Sequence, residues 1–339
     1  MATSLVWQHR QTRFDLSSRD LQTINGENIL DVIKLVEDVK AANGQTGYFI
    51  VTNLRVIWHS QQTPSKNISI GFQCFMKIET STKRSIHYAT SESLIIYAND
   101  KNRFQFIFTT NQTQFPRMVS SLNAVYKAFT SSSLCRELKL RTNLMRNYEL
   151  MLLPKEEICD KINGVWNLSC DQGNLGLLYI TNIRAVWNAE TNKNFNISIP
   201  YLDMEFVKIQ QSKYGLALSI AVSELSGGYL LGFRVDPQEK LKQVAKVLDS
   251  LFQASKIKPD FGVHCKINSK VSNTELKDEI LEIIEYYQKE EPLDAFAAYL
   301  SDGTKMQGRE LEFCDHLGLA MEKLPSGLTL QDLWNVPSC

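Results

Sequence analysis

GYFIVTNLRVIWHS at residues 47–60 and GLLYITNIRAVWNA at residues 176–189 are two copies of one element, offset by 129 positions. Under that offset Gly47, Thr52, Asn53, Arg55 and Trp58 fall on Gly176, Thr181, Asn182, Arg184 and Trp187. The match extends in both directions. Asn67, Ile68, Ser69 and Ile70 fall on Asn196, Ile197, Ser198 and Ile199, and Ile29, Asp31 and Ile33 fall on Ile158, Asp160 and Ile162. Self-similarity at one fixed shift marks a duplicated structural unit.

Each copy has the same internal order. Runs rich in apolar, β-branched and aromatic residues lie at 29–36, 47–52, 55–60, 67–72, 74–79, 93–98 and 103–108. The second copy repeats them at 157–168, 176–181, 184–188, 196–199, 204–210, 216–222 and 228–235. These read as seven strands with short polar or glycine-bearing connections. A helix closes each copy. In the first, Pro116 stands near its start and Met118, Leu122, Val125 and Phe129 recur at helical spacing. In the second, Asp236 is placed to cap, with Pro237 in the first turn and Glu239 three residues after the cap. Leu241, Val244, Leu248, Leu251 and Phe252 supply its apolar stripe.

Seven antiparallel strands and then a helix resemble the pleckstrin-homology order, in which a bent, barrel-like sheet leaves one end open and an amphipathic helix covers it. The expected fold is mainly β: two tandem pleckstrin-homology-like barrels of the GLUE or GRAM type, each capped by its C-terminal helix, plus a small irregular C-terminal extension. The expected divisions are an N-terminal extension (1–25), a first domain (26–130), a basic linker (131–148), a second domain (149–256) and an acidic extension (257–339) with a helix over 273–289.

Within the repeated element, Asn53 and Asn182 are expected in a tight hairpin turn, because asparagine tolerates positive φ and bonds nearby backbone. Trp58 and Trp187 read as core anchors. Arg55 and Arg184 could face a lipid headgroup, but the structural reading, an arginine paired locally within the hairpin, outranks that.

The 339 residues are 43% apolar and 22% charged, enough for a substantial core. No apolar run reaches the ~18 residues of a membrane span, and the N-terminus has no apolar core of signal-peptide length. The 7 cysteines are scattered, odd in number and without a C-x-x-C pair, which suggests neither a disulfide framework nor a zinc site and fits a reducing cytosol. Phosphate-loop, nucleophile-elbow and zinc-protease motifs are missing, and the 5 histidines are dispersed. No catalytic residue, cofactor or metal is expected, and acidic pairs such as Glu156 and Glu157 read as solvated surface. Net charge is zero, yet residues from 259 onward carry 7 Lys/Arg against 15 Asp/Glu, leaving 30 and 22 in the basic body. That suits contact with an anionic surface, or a tail folded onto its own body. Without a basic run or motif, nucleic acid is not an expected partner.

Anionic headgroups call for lysine and arginine on inter-strand connections. The candidates are Lys83 and Arg84 after the fifth strand, Lys101 and Arg103 around the next hairpin, and Lys208 and Lys213 around the corresponding loop of the second copy. Arg136, Lys139, Arg141 and Arg146 of the linker could lie on a membrane, but packing between the two modules is the preferred reading.

Seven stretches carry a closer resemblance: VTNLRVIWHS (51–60), KINGVWNLSCDQGNLG (161–176), FNISIPYL (195–202), SKYGLAL (212–218), SGGYLLGF (226–233), LGLAMEKL (317–324) and LTLQDLW (328–334). They resemble the fifth Bardet–Biedl syndrome protein family, subunits of the coat complex called the BBSome. The resemblance spans nearly the whole chain and is weakest over about 256–292. It implies a non-catalytic subunit partnered by other BBSome subunits and a phosphoinositide-containing membrane, working at the cilium, the ciliary membrane and the basal body. It supplies no catalytic residue, and its lipid site does not transfer by motif. A pure scaffold, whose barrel faces bind other subunits instead of lipid, is the alternative.

Overall fold

The computed structural model describes residues 5–40, 45–169, 173–192, 194–265, 299, 311–314 and 319–322. The helix expected over 273–289 lies outside them.

The first domain consists of β1 (Thr12–Phe14), α1 (Ser18–Leu21), β2 (Ile29–Asp38), β3 (Thr46–Thr52), β4 (Arg55–Ser60), β5 (Asn67–Gly71), β6 (Phe75–Arg84), β7 (Thr90–Asp100), β8 (Asn102–Thr109) and α2 (Phe115–Ser131). The second consists of β9 (Lys139–Leu140), the small hairpin β10 (Met145–Arg146) and β11 (Glu149–Leu150), then β12 (Ile158–Asn167), β13 (Asn174–Thr181), β14 (Arg184–Ala189), β15 (Asn196–Pro200), β16 (Met204–Ser212), β17 (Gly215–Val222), β18 (Leu230–Arg234) and α3 (Gln238–Ile257). The seven expected strands and the closing helix of each copy are present. Each sheet holds an eighth strand as well.

The sheet orders are β1-β5-β4-β3-β2-β8-β7-β6 and β9-β15-β14-β13-β12-β18-β17-β16, one topology used twice. The added edge strand comes from the N-terminal segment in one case and from the stretch after α2 in the other. The two segments match further. Leu16 and Leu21 cover an outer cluster of Ile29, Val32, Ile50 and Ile57 on the first sheet. Leu144, Met145 and Leu150 cover Tyr179 and Val186 on the second. At the offset of 129, Leu16 falls on Met145 and Leu21 on Leu150. The duplicated unit therefore begins before the strands that advertise it.

The helices behave as their periodicity predicts. α2 buries Phe115, Met118, Leu122, Val125 and Phe129, and α3 buries Leu241, Val244, Leu248 and Phe252. Each such side chain contributes about 1.5–3 kcal/mol when fully buried. Pro116 sits in the first turn of α2. Asp236 does not cap α3: the N-cap is Pro237, and the Asp236 carboxylate accepts instead from Arg234 Nε at 3.0 Å. The Asp236–Pro237 peptide is cis.

Each domain has its own core. The first core also receives Phe261 and Val263 from the segment after α3, and Tyr299. Tyr299 stacks on Phe14 at 5.2 Å and donates to Asp38. Part of the C-terminal extension therefore docks on the chain's own first domain.

Candidate functional site

The duplicated Thr-Asn-x-Arg element is built around a buried ion pair. Thr52 ends β3 and Arg55 begins β4. Thr52 Oγ1 accepts from the backbone N–H of Leu54 (3.1 Å) and Arg55 (3.0 Å), which closes the turn. Asn53 does not supply a positive φ, and neither does Asn182. Its side chain clamps the segment before β2 instead, accepting from Asn28 N at 2.8 Å and donating to Gly26 O at 2.9 Å. Asn182 does the same to Glu157 N (2.8 Å) and Lys155 O (3.0 Å).

That clamp fixes the residue between its two contacts. Arg55 Nε donates to Glu27 Oε1 at 2.9 Å, and Arg184 Nε donates to Glu156 Oε1 at 2.7 Å, with all four side chains fully buried. Thr52 and Thr181 donate to the same carboxylates. Glu27 and Glu156 are themselves 129 positions apart. Glu156 is thus not solvated surface, and neither arginine can reach a headgroup. A charge in the interior persists only with a partner and satisfied hydrogen bonds, which is what each carboxylate provides.

The tryptophans complete the element. Trp58 Nε1 donates to Val36 O at 2.9 Å and Trp187 Nε1 to Val165 O at 3.0 Å. Gly47 and Gly176 let the neighbouring strand approach: a Cβ would lie 2.1 Å from His59 O in one and 2.2 Å from Asn188 O in the other.

A second buried charge pair joins the domains. Arg10 donates to Asp203 Oδ1 at 2.9 Å and to Ser226 Oγ at 2.8 Å. Asp203 also accepts from Leu138 N at 2.6 Å. Burial lowers the pKa of Arg10 and raises that of Asp203, each opposed by the other's charge. Arg136 of the linker is buried too, donating to Phe261 O (2.9 Å) and Ser132 O (3.1 Å). Burial pulls its pKa down to about 10, so it stays charged at neutral pH. It belongs to the junction between domains and cannot lie on a membrane.

The six basic candidates are all exposed. Lys83 and Arg84, expected in a connection, are the last residues of β6, paired with Ser91 and Thr90 of β7. Strand β6 runs further than its apolar residues suggest, because an exposed edge needs no alternation. The hairpin tip, Ser85–Ala89, is held by Glu37, which accepts from Ile86 N at 3.1 Å and His87 N at 3.3 Å. Ile86 stands out from that tip, 72% exposed. In the second domain Lys213 lies in the β16–β17 turn and Lys208 on β16, opposite Ser219. Lys101 is the single turn residue between β7 and β8, and Arg103 pairs with Asn99. Asn99 and Ser91 are eight residues apart on β7, about 27 Å. The set therefore divides: Lys83, Arg84, Lys208 and Lys213 belong to the equivalent β6–β7 and β16–β17 hairpins, while Lys101 and Arg103 occupy the opposite end.

Sequence reasoning missed Glu27, Glu156, Arg10 and Asp203. The fixed offset carried the signal for the two glutamates. For Arg10 and Asp203 no sequence signal exists, since 193 residues separate them.

Among the described residues, no helix is long and apolar enough to cross a membrane, and no cluster of three or more His, Cys, Asp or Glu could hold a metal ion. Two family models match: the Bardet-Biedl syndrome 5 protein N-terminal PH-like domain over residues 27–131 and the second PH-like domain over residues 139–265. The "BBSome complex member BBS5" of Mus musculus is 45% identical over 337 residues, covering 98% of both chains. The Homo sapiens protein of the same name is 45% identical over 336 residues, also covering 98% of both. The Caenorhabditis elegans "BBSome complex member bbs-5" is 38% identical over 350 aligned positions, covering 98% of this chain and 97% of that one. With matches to both domain models and near-complete coverage at this identity, the chain belongs to the Bardet-Biedl syndrome 5 protein family.

Proposed function

We propose that the chain is a non-catalytic subunit of a BBSome coat, contributing to the traffic of membrane proteins to and from the cilium. Other BBSome subunits are its protein partners, and it meets phosphoinositide-bearing membrane as a peripheral protein at the ciliary membrane and basal body. The observation that carries the lipid part is the pair of equivalent hairpins, each with exposed cations: Lys83 and Arg84 on one, Lys208 and Lys213 on the other. Ile86 at a tip clamped by Glu37 adds an apolar group beside the charges. Cations flanking an exposed apolar residue suit the interface between headgroups and acyl chains. The buried carboxylates, by contrast, serve structural pairs, which supports a non-catalytic reading.

Liposome co-sedimentation tests the lipid part. Each cation near an anionic surface contributes about 1 kcal/mol, so Lys83→Gln with Arg84→Gln weakens binding to phosphoinositide vesicles about 30-fold. Binding also falls as salt rises. Lys101→Gln with Arg103→Gln leaves binding within a few-fold of wild type. Equal losses from both pairs would overturn the assignment to the hairpins.

A scaffold reading is favoured by a separate observation. The second domain exposes large apolar side chains such as Tyr148, Trp166 and Leu230, as surfaces covered by other proteins do. It accounts for the second domain, while the basic hairpins account for lipid contact.

A further inference from the structure

The outer face of the second sheet contains a cavity of about 330 Å³. It is lined by Asn163, Gly164, Leu177, Asn188 and Glu190, with Met145 and Tyr148 of the β10–β11 hairpin at its mouth. The duplication explains its origin. At the offset of 129, Asn163, Gly164, Leu177 and Asn188 fall on Lys34, Leu35, Tyr48 and His59. In the first domain the rings of Tyr48 and His59 stack at 5.1 Å, and Lys34 Nζ lies 5.9 Å over Tyr48. The stacked Tyr48 and His59 are replaced by the smaller Leu177 and Asn188, and Lys34 and Leu35 by the smaller Asn163 and Gly164. Leu177 and Asn188 remain cross-strand partners, as Tyr48 and His59 are.

The cavity is not an apolar void. Asn188 is 8% exposed, and its Nδ2 donates to Ala189 O at 3.2 Å. That bond fixes the amide orientation and leaves Oδ1 buried, without accessible surface on the cavity. Glu190 adds a carboxylate. Tyr148 is 75% exposed, and Asn147 and Tyr148 hold φ of 50° and 65°. Left-handed backbone at a bulky residue is strained, and here it projects the ring at the mouth.

We propose that this cavity receives an arginine side chain from a protein partner. A planar guanidinium carries several donors in fixed geometry, suiting the Glu190 carboxylate, and its face stacks on an aromatic ring. A carboxylate at the cavity disfavours phosphate or any other anion, so this is not a second lipid site. The volume lies at the lower end for ligand pockets, which suits one side chain. Met151 and Leu152, exposed just beyond β11, give a protein partner apolar contact beside the anchor. The inference deepens the coat-subunit reading, and its test needs no coat partner, so it can fail while coat membership stands.

The test is a titration of the full chain, isotope-labelled at methionine and leucine methyl groups, with N-acetyl-arginine methylamide. The Met145 and Leu177 methyl signals should shift and saturate, in the millimolar range of a single side chain. N-acetyl-glutamate methylamide should not move them. Leu177→Tyr with Asn188→His, which restores the first domain's residues, abolishes the response. Glu190→Gln, an exposed and structurally mild change, weakens it about five-fold. No saturable shift with the arginine probe, an equal response to the glutamate probe, or a full response in either variant would overturn the proposal.

Discussion

The two domains share an interior and differ in their exteriors. Each has the same buried glutamate–arginine pair, the same threonine-closed turn, and the same tryptophan bonded to a carbonyl 22 residues earlier. Outside, the first domain is covered. Phe261, Val263 and Tyr299 join its core, and among the described residues only Leu35, Met76 and Ile86 are large apolar side chains left exposed. Among its described residues the second exposes 13. Asp31 and Asp160 show the same split. Asp31 is buried, bonded to Arg117 and Ser121 of α2, whereas Asp160 is exposed. Counting back from the buried Phe129 and Phe252, the place of Ser121 is taken by Val244, which cannot bond a carboxylate. Duplication kept what folds the barrel and freed the surfaces to diverge.

The ion pairs offer the largest test of that likeness. Glu156→Ala strands Arg184 with Ser198 Oγ and Met151 O as its remaining acceptors, and is expected to cost the second domain about 3–5 kcal/mol. Glu27→Ala should cost the first domain less, because Arg55 keeps Gln8 Oε1, Ser69 Oγ and Gln22 O, all within 3.1 Å. Urea unfolding with domain-resolved hydrogen exchange reads both. Equal losses would mean that the N-terminal segment adds nothing to the first pair.

A smaller effect separates the copies by pH. Burial lowers the pKa of His59 from 6.5, so the unfolded chain takes up its proton first as pH falls. The stability tied to neutral His59 is complete above pH 6.5 and is lost as pH drops from there through the lower folded value. Asn188, its counterpart, does not titrate. His59→Asn should therefore flatten the fall in the first domain's melting temperature below pH 6.5. An unchanged slope would show that His59 does not contribute to it.

The barrels were legible because strand pairing repeats apolar residues at one offset, and Trp58 and Trp187 sit in equivalent registers. What lay beyond reach depended on distance in sequence. Glu156, beside Glu157, looks like solvent-facing charge until the arginine 28 positions away is brought to it. The edge strands β1 and β9 are three and two residues long, too short for periodicity to mark. Lys83 and Lys101 look like neighbouring loop cations, yet β7 holds them at opposite ends of a ladder. Asp236 met every local condition for a cap, and the chain entered α3 through Pro237 instead.

One interior carries two different surfaces, and the scaffold reading has partners cover the second domain's. Hydroxyl-radical footprinting of the free chain and of the intact complex purified from ciliated cells separates the two. Tyr148, Trp166 and Tyr229 should react in the free chain and be protected in the assembly, while Ile86 on the first domain's hairpin stays reactive. Protection of Ile86 and Met76, with Tyr148 and Trp166 still reactive, would contradict that reading.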